Sequence, residues 1–462
     1  MNNAAYPKYN SYQDVKISWC EELPSHWTTQ PIRNLFTESR RKNDDGKNKD
    51  YLSLMANRGI IPYSEKGDVG NKMPADLSGC KLVDVDDFVL NSMNFGIGSF
   101  GVSTLKGVCS SVYVVLKANN PASIGYYERI FQHPQFQTFS QSLGNGILAH
   151  RCAIGWDELK NAHFPVPPVE EIQAIAAFLD GKCATIDEAV RIKEEQIRLL
   201  AERRQILIQQ AVTRGLNPDA PMKDSGIDWI GQIPAHWEAI PLKRLFRERN
   251  ERTKTGEETL LSLRMVEGLV PHDDVSDKAI SDADLVDYKK VFPGQMVMNR
   301  MRASIGLFGI VGQPGLVSPD YAIFDMRHDL YGPFYLNLFK IDQMGTRFRL
   351  SSRGLGTGSS GFMRLYTDDF GAISVPVPPS TEQKEIVDYI AGVENKISGA
   401  IALKQTQITA LREYKASLIN AAVTGKIKVC LLYTSPSPRD RQKSRMPPSA
   451  CKKNRNSTKA AS

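Results

Sequence analysis

The chain has 462 residues, 41% of them hydrophobic and 24% charged, a composition typical of a globular protein with room for several domains. Its formal net charge of +7 would suit a nucleic-acid-binding protein if it were spread over the whole chain. No run approaches the ~18 apolar residues of a membrane-spanning helix, and the polar start MNNAAYPKYN does not match a signal peptide. We therefore expect a cytoplasmic protein.

The excess positive charge is confined to the end of the chain. Residues 430–462 contain eight lysines and arginines against one aspartate, which leaves 50 basic and 50 acidic residues elsewhere. In this segment CLLYTSPSPRD, then SRMPPSA and CKKN, resemble the translation of a transposon sequencing adapter. A natural disordered basic arm is the alternative, but the match runs through two adapter segments in the right order. We expect residues 430–462 to be an artefact, so the overall charge is no argument for DNA binding.

The remaining chain is predicted to be a tandem repeat. LPSHWTTQPIRNLF from Leu23 aligns with IPAHWEAIPLKRLF from Ile233, and FVLNSMNFGIGSFGV from Phe88 aligns with MVMNRMRASIGLFGI from Met296. The spacing stays close to 210 residues along the chain, which is too long for a solenoid repeat. The sequence therefore indicates two copies of one domain-sized unit.

Each copy consists of a mixed region followed by a helical one. Short β-rich runs separated by Gly, Asn and Pro give way, after the motif PVPP, to a long uninterrupted helical pattern. The prolines of PVPP, which begin at Pro165 and Pro376, should hold the chain extended before each helix starts. We predict an α+β fold with two globular domains in tandem repeat, each followed by a long helix, the two helices forming an antiparallel coiled coil. The predicted boundaries are 1–167 and 217–378 for the globular domains, and 168–216 and 379–429 for the central and distal helices.

Both helical regions carry a heptad seam, in which apolar residues recur at alternating spacings of three and four. Basic residues interrupt the seam at the same two places in each copy. They fix the register of the helices, or else extend their charged ends from the edge of the seam into solvent. The seam positions are Ile186, Val190, Lys193, Ile197, Leu200 and Arg204 in the first helix, and Ile397, Ile401, Lys404, Ile408, Leu411 and Lys415 in the second.

No catalytic motif is found in a credible context. GIGSFG at Gly96 fits a nucleotide-binding pattern by its letters, but no helix is predicted after it, so a tight turn is the better interpretation. His26 and His236 each precede a tryptophan and lack a second ligand at metal-binding spacing. We predict that Trp27 and Trp237 anchor the opening strand of each domain. The cysteines before residue 430 are predicted to be reduced and mostly buried; they are Cys20, Cys80, Cys109, Cys152 and Cys183.

Several polar residues in or beside predicted loops are candidates for DNA contacts. Arginine is the usual reader of guanine edges, and the two asparagines end a strand just before a turn. A solvated or structural role is the alternative for each of them. The candidates are Arg58, Asn91, Arg264, Asn299, Arg300, Arg302, Arg353 and Arg364.

The order of these parts resembles the specificity subunit of type I restriction-modification systems. Two globular regions are each followed by PVPP, a seam helix and AVT, the latter from Ala211 and Ala422, and IPAHW from Ile233 and SPDYAIF from Ser318 are also similar to this family. The first copy departs from it, with SSVYVVL from Ser110. The resemblance covers residues 6–428.

The resemblance implies a non-catalytic subunit of a bacterial defence system. Each globular domain would be a target recognition domain for one half of an asymmetric bipartite site in double-stranded DNA, and the helices would set the gap between the halves. Two methyltransferase subunits and ATP-driven restriction subunits would join the complex. S-adenosylmethionine, ATP and Mg²⁺ would bind to those partners, and no cofactor is expected in this chain. A stand-alone DNA modification enzyme and a coiled-coil protein-binding scaffold are the alternatives.

Overall fold

The structure is a computed structural model that describes residues 6–56, 58–68, 72–93, 95, 98–144, 153–277, 280–355 and 362–429. The predicted adapter segment therefore lies outside the described residues. The chain divides into two compact units, the first made of Met1–Ile192 with Gln407–Ser462 and the second of Lys193–Thr406. Each unit contains one globular domain together with parts of both long helices.

The first globular domain is a mixed α+β structure. Its strands are Tyr12–Ile17 (β1), Cys20–Pro24 (β2), Thr28–Pro31 (β3), Phe36–Glu38 (β4), Leu52–Met55 (β5), Gly59–Pro62 (β6), Lys81–Val83 (β7), Asp87–Asn91 (β8), Phe100–Val102 (β9), Gly107–Cys109 (β10), Tyr113–Ala118 (β11) and His163–Val166 (β12). Its helices are Ile32–Leu35 (α1), Ile124–Phe131 (α2), Pro134–Leu143 (α3) and Trp156–Leu159 (α4).

The central sheet of this domain is antiparallel, with strand order β4-β11-β8-β9. Side chains alternate between its two faces. Phe88 and Leu90 enter the main core with Leu116, whereas Val89 and Val115 enter a smaller core on the opposite face. Because both faces of the sheet are covered, the sequences of the two central strands, β11 and β8, are largely continuous apolar runs and do not alternate between apolar and polar residues.

The second globular domain repeats this architecture. Its strands are Met222–Asp224 (β13), Gln232–Pro234 (β14), Glu238–Pro241 (β15), Phe246–Arg249 (β16), Leu261–Arg264 (β17), Gly268–Pro271 (β18), Lys289–Val291 (β19), Met296–Asn299 (β20), Phe308–Ile310 (β21), Gly315–Val317 (β22), Tyr321–Met326 (β23), Arg353–Leu355 (β24), Phe362–Arg364 (β25) and Ser374–Val377 (β26). Its short helices are Asp282–Leu285 (α6), Gly332–Phe339 (α7), Asp342–Ser351 (α8) and Thr367–Ala372 (α9). The central sheet has the order β16-β23-β20-β21, which matches the first domain strand for strand.

Two long helices follow the PVPP motifs, Val169–Arg214 (α5, 46 residues) and Ser380–Val423 (α10, 44 residues). The motifs themselves are extended, because β12 pairs with β3 and β26 pairs with β15. Gly215 and Gly425, with φ of +75° and +68°, end the helices in the left-handed conformation that favours glycine. Residues 424–429, within the predicted distal helix, are therefore not helical.

The long helices pack antiparallel inside each unit. In the first unit, Ile175 and Leu179 near the start of α5 share a core with Leu418 and Ala422 near the end of α10. In the second unit, Ile208 and Val212 near the end of α5 share a core with Ile386 and Ile390 near the start of α10. The start of each helix thus meets the end of the other, and the predicted fold class is confirmed.

The seam positions are buried to different degrees. Four are buried and the others are half-buried, including the basic ones. In the first unit, Nζ of Lys415 donates to both carboxylate oxygens of Asp187 on the opposing helix, at 2.7 Å each. The buried positions are Ile186, Val190, Ile397 and Ile408.

Candidate nucleic-acid interface

The turn after strand β20 builds one polar surface of the second unit. Asn299 ends the strand, and its Oδ1 accepts hydrogen bonds from the backbone amides of Met301 at 3.1 Å and Arg302 at 3.2 Å. The side chain therefore stabilises a tight turn, as asparagine often does. In the sheet Asn299 pairs with Tyr321 on β23, so the turn and the start of β23 lie side by side.

Two exposed arginines lie near Tyr321. Burial raises the pKa of the Tyr321 hydroxyl, while a hydrogen bond with Asn299 and the charges of Arg302 and Arg264 oppose that rise. Nη2 of Arg264 donates to the carbonyl of Val275 at 3.2 Å. In the described part of the chain neither arginine has a carboxylate partner. Both guanidinium groups are therefore available to phosphates or base edges.

Arg300 lies beside this turn but is directed inward. Its Nη2 contacts Oε1 of Glu248 at 2.6 Å and Oγ1 of Thr367 at 3.2 Å, and its side chain is only 16% exposed. A largely enclosed arginine paired in this way holds strands and loops together, and removing it would leave the carboxylate of Glu248 without its partner. The structure therefore gives Arg300 a structural role, the alternative considered for it in the sequence.

Arg353 and Arg364 also have acidic partners. Arg364 pairs with Asp320 and lies 5.8 Å from the centre of the Tyr366 ring, with 20% of its side chain exposed. Arg353 contacts Asp369 at 2.7 Å but remains 69% exposed. An exposed ion pair of this kind contributes little to stability and can exchange its partner for a phosphate at small cost. Arg353 thus remains accessible, whereas Arg364 is largely enclosed.

A buried lysine, Lys289, contacts the backbone beneath this surface. Nζ of Lys289 on β19 donates to the carbonyl of Tyr321 at 2.7 Å. Burial, followed by the nearby charge of Arg300, lowers the pKa of Lys289 to about 8. Lys289 was not among the residues predicted from the sequence, although a lysine, Lys81, stands at the same position in the first copy of the repeat.

The first unit has the same scaffold with different side chains. Nζ of Lys81 donates to the carbonyl of Tyr113 at 2.6 Å, and Oδ1 of Asn91 accepts from the amide of Met93 at 3.1 Å. Asn91 is buried, so it shapes the turn and does not present its amide to solvent. Arg58 is exposed in the turn between β5 and β6.

Alignment of the two units shows where they differ. Met55, Ser92 and Val112 occupy the positions of Arg264, Arg300 and Asp320. At these three positions the repeated framework of lysine, tyrosine and asparagine thus carries charged side chains in the second unit and neutral ones in the first. Two equal scaffolds with unequal surfaces can recognise two different ligands.

The paired tryptophans anchor the long helices. Trp27 is buried between β2 and β3, and its Nε1 donates to Oε2 of Glu171 in the first turn of α5 at 3.0 Å. Nε2 of His26 lies 2.7 Å from Oε1 of the same carboxylate, and the hydroxyl of Tyr9 donates to Oε2 at 2.8 Å. Burial raises the pKa of Glu171, but these hydrogen bonds outweigh it, so the pKa lies below its ordinary value. We call this set, Tyr9, His26, Trp27 and Glu171, the first clamp.

The second unit has an equivalent clamp, with one partner fewer among the residues that the structure describes. Nε1 of Trp237 donates to Oε2 of Glu382 at 2.9 Å, and Nε2 of His236 lies 2.7 Å from the same oxygen. Sequence reasoning placed the tryptophans on the opening strands and missed their glutamate partners. The nearly equal separation of each HW pair from the glutamate after PVPP, 145 residues from His26 to Glu171 and 146 from His236 to Glu382, was the available signal.

Other features of the described residues give no separate site. Cys20, Cys80, Cys109 and Cys183 are buried free thiols, and Cys152 and Gly96 lie outside the described residues. Among the residues described, no cluster of three His, Cys, Asp or Glu side chains could hold a metal ion. Within the same limits, no helix is both long enough and apolar enough to cross a membrane.

Known proteins similar to this chain are specificity proteins of type I restriction systems. The family model described as type I restriction modification DNA specificity domain matches residues 277–410. A candidate MjaX type I restriction enzyme specificity subunit of Methanocaldococcus jannaschii is 20% identical over 452 residues, covering 90% of this chain and 97% of that protein. The MjaVIII specificity subunit of the same organism is 23% identical over 345 residues, covering 70% and 75%.

A solved structure shows the same fold. That structure is described as the basis of complex assembly and conformational transition of the type I R-M system. It superimposes on this chain with a TM-score of 0.63 at 14% sequence identity, and the match covers 88% of this chain and 99% of that one. The resemblance seen in the sequence is confirmed: residues 277–410 match the type I restriction modification DNA specificity domain, and the chain is similar over most of its length to specificity subunits of type I restriction enzymes.

Proposed function

We propose that this chain is the DNA sequence-recognition subunit of a type I restriction-modification complex. Its two globular domains act as target recognition domains, each reading one half of an asymmetric bipartite site in double-stranded DNA. The long helices set the distance between the halves and position the partner subunits. The observation that carries this proposal is the repeated scaffold with different side chains at matching surface positions.

The electrostatics of the second unit support DNA contact. Arg264 and Arg302 are exposed without carboxylate partners in the described residues, and both lie near Tyr321. The chain before residue 430 has no excess positive charge, so phosphate attraction must come from local clusters of this kind. Of the remaining candidates, Arg58 and Arg353 are exposed, whereas Asn91, Asn299, Arg300 and Arg364 support the surface or brace it from within.

The chemistry is assigned to partner subunits. We propose two methyltransferase subunits that bind S-adenosylmethionine, and restriction subunits that use ATP and Mg²⁺, with this chain non-catalytic and the complex cytoplasmic. A stand-alone modification enzyme would need a cofactor site in this chain. A protein-binding scaffold would not need two divergent surfaces on one framework.

The direct test is to identify the DNA site that the chain specifies. The chain, ended at Val429, would be co-expressed with the methyltransferase encoded beside it in a host that lacks adenine methylation. Long-read sequencing then maps methylated adenines. We expect one asymmetric site with two specified parts and an unspecified gap, and a variant with Arg302→Ala should relax one part only.

Other outcomes separate the alternatives. Methylation at a short continuous palindrome would contradict bipartite reading. Methylation by the chain alone, with S-adenosylmethionine retained by the purified protein, would favour a stand-alone enzyme. A complex that binds no DNA but retains another protein would favour a scaffold.

A further inference from the structure

The hairpin of β17 and β18 carries the most exposed large hydrophobic side chain that the structure describes. Leu261–Arg264 pairs with Gly268–Pro271, and Val266 in the connecting turn is 87% exposed. Its neighbour Met265 is exposed as well. Single exposed apolar residues are common, but a valine that is almost fully in water at the tip of a hairpin buries little of its apolar surface within the chain.

The base of this hairpin is fixed, so the tip is held in place. Leu261 and Leu263 are buried in the small core beneath the sheet. Gly309 on β21 lies directly under the hairpin, where an added Cβ would come within 2.7 Å of Cδ1 of Leu263. Gly268 closes the turn with φ of +76°. Because its base is tightly packed, we regard the hairpin as an arm that holds its exposed tip in place rather than as a loose loop.

The side chains around the tip suit the edges of bases better than phosphate. Arg264 precedes the tip, and Arg302 lies near the same tyrosine as Arg264. Glu267 follows Val266 and is exposed; a carboxylate repels phosphate but can accept a hydrogen bond from the amino group of cytosine. An arm that bound only the DNA backbone would be expected to carry basic residues throughout its tip.

We propose that the tip of this hairpin enters the major groove of the second unit's half-site, and that Val266 contacts the 5-methyl group of a thymine there. A two-stranded β-ribbon fits the major groove, where the thymine methyl is the one apolar feature that distinguishes the bases. This inference rests on the proposed function, because it requires that the second unit read DNA.

The corresponding hairpin of the first unit supports a role in discrimination. Leu52–Met55 pairs with Gly59–Pro62 in the same register, with Gly59 in the same left-handed conformation. At the position of Glu267 the first unit has Arg58, which is exposed. The framework of the arm is thus retained while Met265, Val266 and Glu267 of its tip are replaced in sequence by Ala56, Asn57 and Arg58, as expected if the two arms read different bases.

The test uses the assembled complex with methyltransferase subunits and a duplex containing the mapped site. Each thymine in both halves is replaced in turn by deoxyuridine, which lacks only the 5-methyl group. We expect one thymine, in the half-site that Arg302→Ala relaxes, at which this replacement weakens wild-type binding about fourfold, the effect of exposing one buried carbon group. Val266→Ala should show the same loss with thymine and no further loss with deoxyuridine. Val286→Ala, an exposed valine of the same unit, is the control and should behave as wild type.

Each contrary result has a distinct meaning. If no thymine is sensitive to loss of its methyl group, if that half-site contains no thymine, or if Val266→Ala keeps the sensitivity, the contact is refuted while DNA recognition stands. If Val266→Ala instead weakens assembly with the methyltransferase, the arm binds protein. If the wild-type complex shows no site-specific binding at all, the proposed function itself fails.

Discussion

Removing the glutamate of each clamp should destabilise the start of the helix that it holds, and by different amounts. Glu171→Ala deletes the acceptor for the buried Trp27 indole, the Tyr9 hydroxyl and the His26 ring. Glu382→Ala deletes the acceptor for Trp237 and His236. The two substitutions are therefore a matched pair that differs by one hydrogen bond.

The magnitudes follow from these contacts. A buried indole N–H left without a partner costs roughly 1–3 kcal/mol, and a hydrogen bond to a charged group contributes about 1.5–3 kcal/mol. Both histidines are about half exposed, so each adds at most ~1 kcal/mol. We expect losses of about 3 kcal/mol for Glu171→Ala and about 2 kcal/mol for Glu382→Ala.

Hydrogen exchange of the backbone amides in the first turns of α5 and α10 measures the two effects separately. It reports local opening free energies, which suits a two-unit chain whose global unfolding need not be two-state. Glu170→Ala is the control, since Glu170 is exposed in the same first turn. It should change the opening free energy by less than about 0.5 kcal/mol.

The pKa shift adds a check on the first clamp. The folded-state pKa of Glu171 lies below its ordinary value of 4.5. The clamp's contribution is therefore complete above pH 4.5 and is lost as the pH falls through the folded-state pKa. A loss for Glu171→Ala within 0.5 kcal/mol of zero, or a larger loss for Glu382→Ala than for Glu171→Ala, would refute the reasoning.

Three further predictions follow from the second unit and the helices. Arg302→Ala should weaken DNA binding without lowering the melting temperature, whereas Arg300→Ala should lower the melting temperature by breaking its largely enclosed pair with Glu248; equal thermal effects would contradict this assignment. Because the pKa of Lys289 falls to about 8 in the folded state, its proton binds more tightly to the unfolded chain, so stability should rise between pH 8 and its ordinary value of 10.5. Comparison of urea unfolding for wild type and Lys289→Met should show that this rise is absent in the variant. The two long helices pass from one unit to the other after Ile192 and after Thr406. One heptad inserted at each place should lengthen each helix by about 10 Å and the unspecified gap in the DNA site by about three base pairs. Methylation mapping that shows an unchanged gap would refute the role of the helices in spacing.

The repeat and the fold class could be predicted from the sequence because their signals are local and periodic. Two copies of PVPP followed by heptads identify the helices without knowledge of any distant contact. The pairing of strands across the sheet was less accessible. β11, for example, lies between β4 and β8, an order that no local pattern records.

The candidate site shows where sequence reasoning stopped. Eight polar residues could be named as candidates, but their roles depend on partners far along the chain. Arg300 is withdrawn from the surface by Glu248, 52 residues earlier, and Arg364 is paired with Asp320, 44 residues earlier. Nothing near Arg302 in sequence distinguishes it from Arg300, yet Arg302 is exposed, whereas the side chain of Arg300 is only 16% exposed.

The sequence by itself thus determined that two related domains alternate with two seam helices, since hydrophobic period and proline position act over a few residues. The tertiary structure alone decided which guanidinium groups are neutralised, which glutamates hold the helices, and which hairpin tip stands free in water. These depend on distances between residues separated by tens to hundreds of positions, and ion pairing and burial are set by those distances rather than by residue type.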